Sequence, residues 1–149
     1  MGSQLIGIIL FLFTILIDQL SKQIVLKQVN RRSVRVWSML RIQVTANRVN
    51  DKSRHRLVAQ AVLLTLIVAF VVSLNILAHF FENDLTQAGL GAAVGGAVSN
   101  LFDRFWRRRV VDFIDFSFWP TFNFADVAIV FGLVFAITGE LVLILQGTR

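Results

Sequence analysis

Two aspartates, Asp112 and Asp126, stand in an aromatic-rich, largely apolar stretch and are the residues best placed to do chemistry. A carboxylate at membrane depth is costly, which makes each one a functional candidate by default. Asp112 lies in Arg109-Val110-Val111-Asp112-Phe113-Ile114-Asp115. That run reads as extended, and alternation puts Asp112 on the face opposite Val111 and Phe113. Asp126 closes Phe122-Asn123-Phe124-Ala125-Asp126, shortly after Pro120. Two carboxylates held close together cannot both ionise cheaply, so such a pair can share a proton and act on water as acid and base. Asp126 has a second reading. Asn123 with an acid three residues later resembles a capping box, and a carboxylate in a first helical turn is favoured by the helix dipole. Spacing alone leaves both roles open.

Other polar residues form smaller groups. Asp18 and Lys22 are four apart on one helix face, acid before base, which reads as an intrahelical pair or as a support for a site. Asn100 and Arg104 lie one turn apart with Asp103 beside them, either a donor–acceptor cluster or a polar helix end with Arg104 reaching to water. Gly91, Gly95 and Ser99 make a small-residue row suited to close helix packing. Glu140 follows Asp126 by fourteen residues, about 21 Å along a helix, and so belongs near the opposite membrane face. The chain has no cysteine, which excludes a thiol nucleophile, disulfides and thiolate metal ligation. His55 and His79 are isolated and no HExxH occurs, so no metal or cofactor is expected.

The elements that must position these residues are membrane spans. Hydrophobic residues make up 56% of the 149, concentrated in long runs. The reading is a single domain, 1–149: an all-α membrane protein with four transmembrane helices at about 5–26, 57–78, 85–105 and 124–145. The second run carries no charge and reaches roughly 33 Å, enough to cross a bilayer. The third is diluted by glycine and alanine. In the first loop, Val34, Val36, Leu40, Ile42 and Val44 alternate with Arg35, Arg41 and Gln43. Period-two alternation predicts a small extramembrane β-sheet there. The second loop is dense in aromatics, the composition of an interfacial belt. The net charge of +6 points to anionic lipid headgroups as partners and not to nucleic acid.

Taken in order, these motifs resemble lipoprotein signal peptidase (signal peptidase II), the membrane aspartyl protease of bacteria. Asp18-Gln19-Leu20-Ser21-Lys22 resembles its DQxxK element, and the run from Gly95 to Arg104 its GGAxGNLxDR element. Val110–Ile114 resembles VVDFI, and Phe122–Asp126 resembles FNxAD. The resemblance implies Asp112 and Asp126 as the catalytic pair. It implies Asn47, Asn100, Arg104 and Asn123 as residues that position substrate or the pair, with Asp18, Lys22 and Asp103 in support. It implies a prolipoprotein substrate cleaved just before its diacylglyceryl-cysteine, by a monomer in the bacterial cytoplasmic membrane with its site near the outer face. Three positions depart from the pattern. Asn47 is followed by Arg48-Val49-Asn50-Asp51-Lys52 where a Gly-Ala-Ala-Phe-like run is usual, Ser99 replaces a glycine, and Arg109 stands where a glycine is usual. The last two are expected to tighten or displace the third helix end. A divergent member, a non-catalytic lipoprotein-binding relative of the same fold, and a small proton-coupled transporter are the alternatives. Ten of the fifteen Lys/Arg lie between Lys22 and Arg56, and four more between Arg104 and Arg109. The positive-inside rule would put both loops in the cytoplasm; the resemblance puts them outside.

Overall fold

The computed structural model describes residues 2–28, 34–35, 40–45, 83–116, 118 and 120–147. The expected second span, 57–78, and Asn47 lie outside the described residues. Three long helices dominate: α1 (Gly2–Gln28), α2 (Asp84–Trp106) and α3 (Phe124–Leu145). Three short strands accompany them: β1 (Val34–Arg35), β2 (Leu40–Thr45) and β3 (Asp112–Phe116).

Burial runs opposite to that of a water-soluble protein. Asp18, Lys22, Thr86, Ser99, Asp103 and Asn123 are fully buried, whereas Leu12 is 58% exposed and Phe131 57%. Helices that hide their polar groups and show Leu, Ile and Phe outward match a lipid solvent. The helices α1 and α3 are long and apolar enough to cross a bilayer; at about 1.5 Å per residue they reach roughly 40 and 33 Å. Helix α2 has similar length but spends its surface on packing.

That packing uses small residues on two faces of α2. A side chain on Gly91 would run into the Gly7 backbone, and one on Gly95 into Phe11 and Thr14 of α1. On the other face, Gly89 approaches Gly132 and Ala136, and Gly96 approaches the Ala125 carbonyl of α3. Without a hydrophobic effect between helices in lipid, close backbone approach supplies the contact. It also brings the polar ends of the three helices within hydrogen-bond range.

The strands form one antiparallel sheet, β1-β2-β3. Its first two strands come from the alternating stretch of the first loop, and its third comes from the second loop, which extends the sheet beyond the expected site. Leu40 pairs with Phe116 and Ile42 with Ile114; an irregularity follows before Thr45 pairs with Asp112. The chain then doubles back. Phe113 and Ile114 N–H donate to the Phe122 carbonyl at 3.1 and 2.9 Å, and Phe122 N–H returns to Ile114 at 3.0 Å. Phe113 packs on Val25 of α1 and edge-on against Phe124, at 5.6 Å between ring centroids. These contacts seat β3 beside the start of α3.

Helix α2 runs unbroken through Ser99 to Trp106. The left-handed residue after it is Arg108, with φ 57°, so the strain falls one position before Arg109. A left-handed conformation costs a side-chain-bearing residue about 1–2 kcal/mol. Arg108→Gly should therefore raise stability by about 1 kcal/mol, allowing for the extra chain entropy of glycine; thermal unfolding of the purified protein in detergent would measure it.

Candidate active site

The polar ends of α1, α2 and α3 meet in one hydrogen-bonded network, best followed from its cation. Lys22 Nζ lies 2.5 Å from Asp18 Oδ2, 2.8 Å from Asp103 Oδ2 and 3.0 Å from Asn100 Oδ1. An ammonium has three donors, and all three are used here. The i,i+4 spacing puts Asp18 and Lys22 on one face of α1, and the close α1–α2 packing brings Asp103 and Asn100 to the same nitrogen. Arg107, the C-cap of α2, pairs with Asp103 Oδ1 and donates to Gln19 Oε1 at 2.8 Å. Two acids and two bases thus balance in a site where an unpaired charge would be very costly.

Each acid of that cluster also holds a backbone amide. Asp18 Oδ1 accepts from Ala125 N–H at 2.9 Å, and Asp103 Oδ2 accepts from Val111 N–H at 3.3 Å. Ala125 directly precedes Asp126, and Val111 directly precedes Asp112. Lys22 therefore joins two carboxylates that each clamp the chain one residue before a candidate catalytic aspartate.

Two asparagines join the aspartates themselves. Asn123 Nδ2 donates to Asp112 Oδ1 at 2.8 Å, while Asn123 backbone N–H donates to Asp126 Oδ2 at 3.1 Å. Asn123 Oδ1 accepts from Asp126 N–H at 3.1 Å, which completes the capping box. Asn100 Nδ2 donates to Asp126 Oδ1 at 2.8 Å, and Asn100 Oδ1 accepts from both Lys22 and Asn123. The amide orientations are set by chemistry: ammonium requires the oxygen, and carboxylate requires the nitrogen. The capping reading of Asp126 is therefore satisfied without removing it from Asp112. Burial pushes the Asp112 carboxyl above its ordinary range, and the nearby Asp126 charge pushes the same way. The Asn123 hydrogen bond and the Lys22 charge oppose that rise, and the Asp103 charge adds to it.

The structure brings together Asp18, Lys22, Asn100, Asp103, Asp112, Asn123 and Asp126. Arg104 stands apart: among the described residues no hydrogen bond joins it to either aspartate, and its Nε is buried without a partner. Asp115 lies three residues on, opposite Arg41 in the sheet. Gln19, Ser99 and Arg107 were not singled out as site residues from sequence, yet all three bond into the network. Their signal was helical spacing: Gln19 neighbours Asp18, and Ser99, Asp103 and Arg107 follow one another at four-residue intervals. Among the described residues no group of His, Cys, Asp and Glu has the arrangement of a metal site.

The chain is similar to known proteins along most of its length. A lipoprotein signal peptidase of Moorella thermoacetica is 33% identical over 133 residues, covering 85% of this chain and 87% of that one. One from Pelotomaculum thermopropionicum is 40% identical over 74 residues, 47% of this chain and 49% of that one. The fold is similar to that of a bacterial membrane enzyme solved at 1.9 Å, with TM-score 0.74 and 24% identity, covering 91% of this chain and 92% of that one. Residues 10–142 match the family model described as signal peptidase (SPase) II, and the chain belongs to that family.

Proposed function

We propose that this membrane protein is an aspartyl endopeptidase that removes the signal peptide from diacylglyceryl-modified prolipoproteins, cutting just before the lipidated cysteine. The observation that carries the reading is the sharing of Asn123: its side chain holds Asp112 and its backbone holds Asp126. The names of the two relatives supply the substrate class.

The pair holds one proton between two carboxylates. Asp126 accepts N–H hydrogen bonds from Asn100 and Asn123, which hold its carboxylate in place to act as the base. Asp112, with its raised affinity for a proton, suits the neutral form. Asp126 takes a proton from water, and the resulting hydroxide forms a bond to the scissile carbonyl carbon. Asp112 gives its proton to the carbonyl oxygen as negative charge develops there. On collapse the C–N bond breaks, the amine of the lipidated cysteine takes the proton held by Asp126, and Asp112 recovers its own. Arg104 and Asn47 position the substrate backbone beside the pair. The acyl chains lie along the lipid-facing helices. The enzyme works as a monomer in the bacterial cytoplasmic membrane, with four spans and the site near the outer face.

Purified protein should cleave a lipobox peptide bearing the diacylglyceryl-cysteine and leave the unlipidated peptide intact, as read by mass spectrometry. Absence of cleavage, or equal cleavage of both peptides, would overturn the substrate assignment.

A further inference from the structure

We propose that Ser99 is a positioning residue of the peptidase site: its hydroxyl fixes the Asp18 carboxylate, and through it the backbone that carries Asp126. The proposal rests on the dyad reading above. Ser99 is fully buried. A serine inside a helix commonly returns its hydroxyl to a carbonyl one turn back. Ser99 instead uses its hydroxyl across the helix interface, donating to Asp18 Oδ2 at 2.7 Å and accepting from Gln19 Nε2 at 2.8 Å.

Its place in the helix explains the consequence. The α1-facing row of α2 runs through Gly91 and Gly95, where only backbone fits. Ser99 follows them in that row, and it meets α1 where α1 turns polar at Asp18. Asp18 Oδ2 then has two partners, Lys22 Nζ and Ser99 Oγ. Two donors on one oxygen fix the carboxylate plane, so that Oδ1 faces Ala125 N–H at 2.9 Å. A lysine alone, on a flexible four-carbon stem, sets that plane less well. The same hydroxyl holds Gln19, whose amide also reaches Asp103 Oδ1 at 3.2 Å, on the clamp to Val111. A glycine here, as in the motif this run resembles, offers no donor. Ser99 therefore adds to this chain a tie that bears on both clamps.

The test compares Ser99→Ala and Ser99→Gly with the parent, as folded protein purified in detergent, on the diacylglyceryl lipobox peptide. Asp126→Asn is assayed alongside. Losing one charge-assisted hydrogen bond should lower kcat by about five- to tenfold in both variants, with KM unchanged and the pH–rate profile displaced. Neither variant adds an atom to the buried site, and Ser99→Gly keeps the question answerable should Ser99→Ala not fold. A merely structural role would lower the unfolding temperature and leave kcat and the pH profile at parental values, and that result would overturn the proposal. If Asp126→Asn is inactive while the Ser99 variants behave as the parent, the Ser99 proposal alone fails. If Asp126→Asn retains turnover, the dyad reading fails.

Discussion

Asp112→Asn and Asp126→Asn should each lower cleavage by about 10³-fold or more while the protein still inserts and folds. An amide can neither hold the shared proton nor take one from water, so either change removes a reacting group. The hydrogen-bond geometry survives: Asn at 112 still offers an oxygen to Asn123 Nδ2, which sits 2.8 Å from Asp112 Oδ1 in the parent. The two variants differ in what they do to stability. Burial and the Asp126 charge raise the proton affinity of Asp112 in the folded state above that in the unfolded chain. A raised carboxyl favours folding below its unfolded pKa and loses that contribution as pH climbs through its folded pKa. Asp112→Asn should thus unfold at a higher temperature than the parent at pH 8, with the gap closing toward pH 4. Substantial turnover in either variant, measured on the lipidated peptide, would rule the pair out. Asp115→Asn should keep most activity, since β3 places Asp115 opposite Arg41 and away from the asparagine bridge.

Lys22→Met should cost about 3–5 kcal/mol, because it leaves the fully buried Asp18 without a cation and Asp103 with Arg107 alone. It should also lower activity beyond its effect on folding, since both clamps depend on acids that Lys22 holds in place. Neutralising one acid together with the base separates these effects. The double change Asp18→Asn, Lys22→Met leaves Asp103 paired with Arg107 and should recover most of the lost stability. Turnover should stay low, because an amide accepts the Ala125 N–H bond more weakly than a carboxylate. Unfolding temperature and kcat measured on the same preparations would show the split; recovery of both together would mean that the cluster serves folding alone.

Much of this site is legible in the sequence because its logic is local. The i,i+4 pair of Asp18 and Lys22, the Asn123–Asp126 capping box and the extended run around Asp112 all follow from spacing, and each is present. The small-residue row on α2 announces close packing, and Gly91 does meet Gly7. What spacing does not reveal is which helix faces which. The link from Lys22 to Asn100, and from Asp18 to Ala125 across 107 residues, depends on how far three helices approach. The third strand of the sheet depends likewise on long-range pairing. Arg104 shows the opposite case: it shares a helical face with Asn100, yet the aspartates take their hydrogen bonds from the two asparagines. The left-handed Arg108, next to the Arg107 cap that ends α2, had no sequence signal of its own.

The shared proton is the centre of the mechanism, and the pH dependence of kcat/KM for the parent protein on the lipidated peptide tests it most directly. A pair that needs one ionised and one neutral carboxyl gives a bell. Activity falls in acid as the pair takes up a second proton, and falls again at higher pH as it loses its last one, with the second limb displaced upward by the burial of Asp112. That bell is the predicted result. A profile with a single acid limb and an unbroken plateau above it would contradict a shared proton and leave Asp112 without an acid's role.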